Sequence, residues 1–124
     1  MLESFHFTIQ GVPYGQDKAT GRVEAAQDWT AAVKAQTASL PKVKGACLMR
    51  VTFRLPPDKF PLDHRFGNDL DNLLKRLFDA LNETVFSDAP GNDGCVVSLE
   101  ATKTGVKSKE ESGAYLEIVL LHGV

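Results

Sequence analysis

The chain is predicted to be an α/β (α+β) domain: a two-layer sandwich in β-α-β-α-β-β order, with helices packed on a mixed sheet. Three observations carry this. Residues 3–10 and 45–55 alternate apolar with polar side chains, the period of a half-buried strand. Leu70, Leu73, Leu74, Leu77, Phe78 and Leu81 recur at the three- and four-residue steps of one buried helical stripe. Clusters of Gly, Pro, Asn and Asp separate each periodic run from the next.

The elements follow in order. Phe5, Phe7 and Ile9 share one side of the first strand, which ends at Gly11-Val12-Pro13-Tyr14-Gly15. A polar loop through Lys18 and Arg22 leads to a helix over residues 23–40, with Ala26, Trp29, Val33 and Ala38 in phase and Pro41 as the stop. In the second strand Cys47, Met49, Val51 and Phe53 alternate with Leu48, Arg50, Thr52 and Arg54, and Pro56-Pro57 closes it. A polar loop precedes the second helix, and turn residues 87–94 follow it. Residues 95–103 read as a strand, 104–113 as an exposed hairpin tip, and 114–121 as the most apolar strand. No repeat or linker interrupts the pattern, so residues 1–124 are expected to be one domain.

Composition narrows the function classes. A hydrophobic fraction of 43% with 24% charged residues is that of a soluble globular protein. No apolar run approaches the ~20 residues of a membrane span, and no basic-then-apolar secretion signal opens the chain. Cys47 and Cys95 are far apart and fit no zinc spacing, and His6, His64 and His122 make no ligand pattern. Reduced thiols and a cytoplasmic location are therefore expected. A net charge of −2 is not that of a protein with a broad basic face. Positive residues nevertheless gather in the second half (His64, Arg65, Lys75, Arg76, Lys103, Lys107, Lys109), and a bound cation would offset the acids among them.

The chemistry concentrates at the start of the second helix. Asp71, Lys75 and Asp79 form a ridge along the flank of the apolar stripe, and Asp69 sits at or before the cap. Two carboxylates this close repel unless a proton or cation intervenes, and hard dications prefer carboxylate oxygen, so magnesium is the candidate ligand. The same residues also have a purely structural reading: Asn68 or Asp69 as N-cap, and Asp71–Lys75 as an ordinary ion pair one turn apart. Asp93, just before the next strand, is the candidate third carboxylate, with Asp88 a rival and Glu100 a weaker one. Three such carboxylates would hold one or two magnesium ions, able to activate water for in-line attack on a phosphodiester. Residues 88–94 fail the calcium-loop template, residues 11–15 lack phosphate-loop spacing, and no Ser-His-Asp or Cys-His order occurs. Cys95 reads as core, and no small organic cofactor is expected.

The run D-L-D-N-L-L-K-R-L-F-D-A-L-N over residues 69–82, followed by Asn92-Asp93 and a strand ending in Lys103, resembles the RusA family of Holliday-junction resolvases. The family core is D-x-D-N-x-x-K-x-x-x-D-A-L, then an acid pair before a strand. The resemblance implies a magnesium-dependent endodeoxyribonuclease, with manganese able to substitute, acting as a homodimer that nicks four-way DNA junctions symmetrically. It implies Asp69, Asp71 and Asp93 as metal ligands and Lys75 as the cation that offsets transition-state charge. Asn72 would orient Asp69 or hold a metal-shell water, and Asp79 would pair with Lys75 or Arg76. Lys18, Arg22, Arg65, Arg76 and Lys103 are the candidate DNA contacts.

Two departures stand out: the acid pair reads Asn92-Asp93, and the N-terminal loop offers only Lys18 and Arg22. They keep two other readings in play, a catalytically silent DNA-binding module and a structural domain whose acids merely cap a helix.

Overall fold

The computed structural model describes residues 3–15, 23–60 and 68–122, with the side chain of Val23 excepted. The elements are β1 (Glu3–Gln10), α1 (Val23–Thr37), β2 (Cys47–Leu55), α2 (Leu70–Leu81), β3 (Val96–Gly105) and β4 (Gly113–Leu120). The predicted order and the mixed sheet are both observed. The sheet runs β1-β4-β2-β3; β2 pairs parallel with β3, and β4 pairs antiparallel with both β1 and β2. It follows that β1, β2 and β3 all point the same way and end at one edge.

One face of the sheet carries the core. Register aligns Met49 with Ile118, Val51 with Leu116 and Phe53 with Ala114, and aligns Phe5, Phe7 and Ile9 with the same β4 residues. The stripe of α2 (Leu73, Leu77, Ala80, Leu81) and α1's Ala26, Trp29 and Val33 bury against this face as one cluster. Removing that much apolar surface from water is the main stabilising term. The opposite face is polar. There Arg50 bridges Glu100 and Glu117 at 2.9 Å each, and the Arg54 guanidinium lies over the Tyr115 ring at 5.6 Å.

Three local expectations are corrected. Helix α1 ends at Thr37, and Ala38 is exposed in the turn beyond it. Thr37 takes the buried position instead, its hydroxyl 2.7 Å from the Val33 carbonyl and 2.8 Å from the Thr84 hydroxyl. The third strand runs to Gly105 and is preceded by a 3-10 turn, Asn92–Cys95. Residues 104–113 are not a hairpin tip, because β2 occupies the slot between β3 and β4 and the connection must cross its end. That crossing closes on Gly113, where φ is +157° and a Cβ would collide with the Ile9 carbonyl oxygen. Among the described residues no helix is long and apolar enough to cross a membrane.

Candidate active site

The start of α2 lies at the edge where β1, β2 and β3 end. Lys103, near the end of β3, donates from Nζ to the Asn68 carbonyl at 2.9 Å and sits over the Phe60 ring at 5.7 Å. The β1–α1 connection packs there as well. A Cβ on Gly15 would come within 3.1 Å of the Asn72 Cβ and 3.3 Å of the Asn68 Cβ. Backbone from the end of β1, a cation from the end of β3 and the N-terminus of α2 therefore converge on one spot. A helix N-terminus carries partial positive charge, which favours anionic groups beside it.

Asp69 occupies the N-cap position in extended conformation (φ −66°, ψ 145°), yet its carboxylate makes no capping hydrogen bond. The capping role that a structural reading requires is not exercised. Asp71 is exposed one residue into the helix, and its Oδ1 accepts from the Asn72 amide at 3.0 Å. Lys75 pairs forward with Asp79 at 3.8 Å rather than back with Asp71. Both members are about two-thirds exposed, so the pair adds little stability. Arg76 turns under the helix, with Nη1 3.3 Å from the Thr30 hydroxyl. Its buried Nε lacks a hydrogen-bond partner among the described residues. Thr30, Asn72, Lys75, Arg76 and Asp79 line a small cavity of about 130 Å³ between the two helices.

Asp93 is placed elsewhere. Its Oδ2 accepts from Asn82 Nδ2 at 2.9 Å, and its backbone amide donates to Asn82 Oδ1 at 3.0 Å. Asn82 is the C-cap of α2, so this reciprocal clasp fixes Asp93 at the opposite end of the helix from Asp69 and Asp71. At a rise of 1.5 Å per residue, the Asp71 and Asn82 Cα atoms are about 16 Å apart along the axis. Ligands of one magnesium ion lie only about 4 Å from one another at most. Asp69, Asp71 and Asp93 of the same chain are thus not brought together, which corrects the three-carboxylate expectation. The physical reason is directional. A strand that follows a helix through a short connection begins where the helix ends.

The rivals do no better. Asp88 is exposed in the turn that follows the same distant end of α2, and Glu100 is committed to Arg50 on the open face. Among the described residues no three His, Cys, Asp or Glu side chains form a metal-binding group. Lys18, Arg22 and Arg65 lie outside the described residues.

Sequence reasoning missed the part played by Asn82. A polar carboxamide directly after the last buried leucine of the stripe was its only signal. It also missed a hollow of about 610 Å³ at the same edge of the sheet, bordered by Tyr14, Trp29, Asp58, Lys59 and Lys109. The cysteines behave as core residues. Burial, and next the neighbouring Cys95, push the Cys47 thiol up to about 12, and burial also raises Cys95. Neither is a ready nucleophile.

Two carboxylates at a helix start fit a magnesium ion, which keeps several waters and often takes only one or two protein carboxylates along with substrate phosphates. The two acids and Lys75 fall inside residues 14–119, the span over which the chain matches the family model described as endodeoxyribonuclease RusA. No curated protein matches the chain.

Proposed function

The chain belongs to the RusA family of Holliday-junction-resolving endodeoxyribonucleases, which act on branched DNA, and from that premise we propose a magnesium-dependent, structure-selective nuclease that makes paired symmetric nicks as a homodimer. The observation that carries the reading is Asp69, which takes a helix cap without capping, beside an exposed Asp71 at the edge where three strands end. A carboxylate left unused by the fold is available to a ligand.

In this reading Asp69 and Asp71 hold a divalent cation, magnesium or manganese, which when bound supplies Lewis acidity and an activated water. The protein's own residues do the rest. Asn72 steadies the carboxylate of Asp71 through its backbone amide and packs against Gly15, which fixes the first turn of the helix. Lys75 projects from the same flank of α2 as Asp71, with the Asp79 carboxylate 3.8 Å from its ammonium. A positive charge there offsets negative charge developing on the phosphoryl oxygens. Lys103 ties the site to the sheet through the Asn68 carbonyl. With Lys18, Arg22 and Arg65 from outside the described residues, it supplies cations for the DNA backbone, whereas Arg76 is turned under α2 toward Thr30. A four-way junction has pseudo-twofold symmetry, so a C2 dimer would present equivalent sites to opposed strands.

The test compares nicking of a synthetic four-way junction with nicking of linear duplex, with and without magnesium. The wild type is expected to cut the junction selectively and only with the metal, and Asp71→Asn to lose at least about a hundredfold in rate. Equal rates for the two proteins would overturn the mechanism. Equal cutting of both substrates would overturn the junction assignment.

A second reading has one observation in its favour, the absence of a three-carboxylate group among the described residues of a single chain. It is a DNA-binding module without catalysis. Junction binding in chelator, with no product in any divalent metal, would establish it.

A further inference from the structure

The hollow of about 610 Å³ at the edge where β1, β2 and β3 end has the size of a small-ligand pocket. Its walls come from the β1–α1 connection, the first turns of α1, the turn after β2 and the β3–β4 connection. The floor is apolar and rigid, since Tyr14 and Trp29 there are only 6% and 1% exposed. Around it Asp28, Asp58 and Glu110 supply carboxylates, and Lys59 and Lys109 supply ammonium groups. Among the described residues none of these five charges forms an ion pair. The buried Nε1 of Trp29 lacks a hydrogen-bond partner as well. Donors and acceptors gathered at one hollow and left unused by the fold point to a ligand.

Charge narrows the class of occupant. Three carboxylates against two ammonium groups leave the hollow net negative, which disfavours a phosphate. A flat neutral group with apolar faces, and with donors and acceptors on its edge, matches the lining instead. A nucleobase is such a group. The hollow also adjoins the candidate active site. Tyr14 borders it, and the next residue, Gly15, packs against Asn68 and Asn72 at the start of α2. Lys59 borders it on another side, and the next residue, Phe60, lies under the Lys103 ammonium that bonds the Asn68 carbonyl. Two of its walls are therefore one residue away from groups that hold the first turn of α2.

We propose that this hollow receives a base unstacked from the strand beside the scissile phosphate, and that its carboxylates favour bases carrying an exocyclic amino group. The inference rests on the branched-DNA nuclease reading given above. Extruding a base costs least where pairing and stacking are already interrupted. The branch point of a four-way junction is such a place, and the interior of a linear duplex is not. Carboxylates accept from the amino groups of adenine, cytosine and guanine, whereas thymine has none. The hollow thus adds a base-dependent filter to recognition of the junction's shape.

Synthetic junctions carrying single 2-aminopurine substitutions along the strand that flanks the cut test the proposal. They are mixed with full-length protein in magnesium and followed by stopped-flow fluorescence. Release from stacking brightens 2-aminopurine, so wild type should raise the emission severalfold at one position before product forms, and linear duplex should give no rise. Ala25→Phe, which fills the hollow from α1, should abolish the rise, with circular dichroism to show that it folds. Junctions with adenine, cytosine or guanine at the responding position should be cut at least about fivefold faster than those with thymine. Asp28→Ala and Asp58→Ala, both at exposed positions that leave the core untouched, should bring that ratio toward one. These two carry the test if Ala25→Phe does not fold. No emission change at any position, an undiminished rise in a folded Ala25→Phe, or equal rates for all four bases would overturn the proposal. A ratio that both aspartate variants leave intact would overturn it too. Wild type that neither binds nor cuts junctions contradicts the branched-DNA reading itself. Wild type that cuts them with no response to the base contradicts only the hollow's role.

Discussion

Replacing Asn82 with Ala tests the clasp that decides where Asp93 sits. The change removes a hydrogen bond to a carboxylate and one from a backbone amide, at 2.9 and 3.0 Å. Bonds to charged groups contribute about 1.5–3 kcal/mol and neutral ones about 0.5–1.5. Both partners are half-buried, which places each bond low in its range and the loss near about 2 kcal/mol. With an unfolding entropy of roughly 2.1 cal/mol/K per residue over 124 residues, Tm should fall by about 8 °C. Thermal melts followed by circular dichroism measure this directly. Asn82→Asp adds a sharper control, since it keeps the shape but sets a second carboxylate against Asp93. The folded pair then holds a proton more tightly than the unfolded chain does. Its cost should be small below about pH 4 and grow as pH rises through the folded pKa. A Tm for Asn82→Ala within about 2 °C of wild type would refute the idea that this clasp anchors Asp93.

Other outcomes follow from the same geometry. Leu77→Ala empties a fully buried position beneath α2 and should cost about 2–5 kcal/mol in denaturant titrations at unchanged m-value. Lys75→Ala should lower kcat on junctions at least about tenfold. It should leave Tm nearly unmoved, because the Lys75–Asp79 pair is exposed and worth only a few tenths of a kcal/mol. The folded-state pKa of Cys47 is raised from 9.0 to about 12, so the stability tied to its neutral thiol is complete below pH 9 and is lost between those values. Wild type should therefore lose up to about 1.4 kcal/mol per pH unit more than Cys47→Ala across that window. Urea titrations from pH 8 to 10.5 check the difference.

Much of this was legible in the chain because it is local. The stripe from Leu70 to Leu81 has one possible burial face, and Leu73, Leu77 and Leu81 are indeed fully buried. The alternation of Cys47, Met49, Val51 and Phe53 set the inward face of β2. The Asp69-Asp71 pair and its Lys75 neighbour were visible for the same reason, since a helix fixes spacing over one turn. Long-range pairing was not legible. Two strands joined by a polar turn read as a hairpin, and nothing local in residues 104–113 reports that β2 takes the place between them. Asp93 shows the same limit. Its nearness in sequence to α2 places it beside that helix, but the helix's length sends it to the wrong end for Asp69 and Asp71. A carboxamide at Asn82 then holds it there.

The most direct measurement is a crystal structure of the full chain soaked in manganese, read by its anomalous signal. The account predicts a peak within roughly 2.2 Å of carboxylate oxygens of both Asp69 and Asp71. A manganese-soaked crystal with those two side chains free of any anomalous density, or with the ion held by other residues, would contradict it.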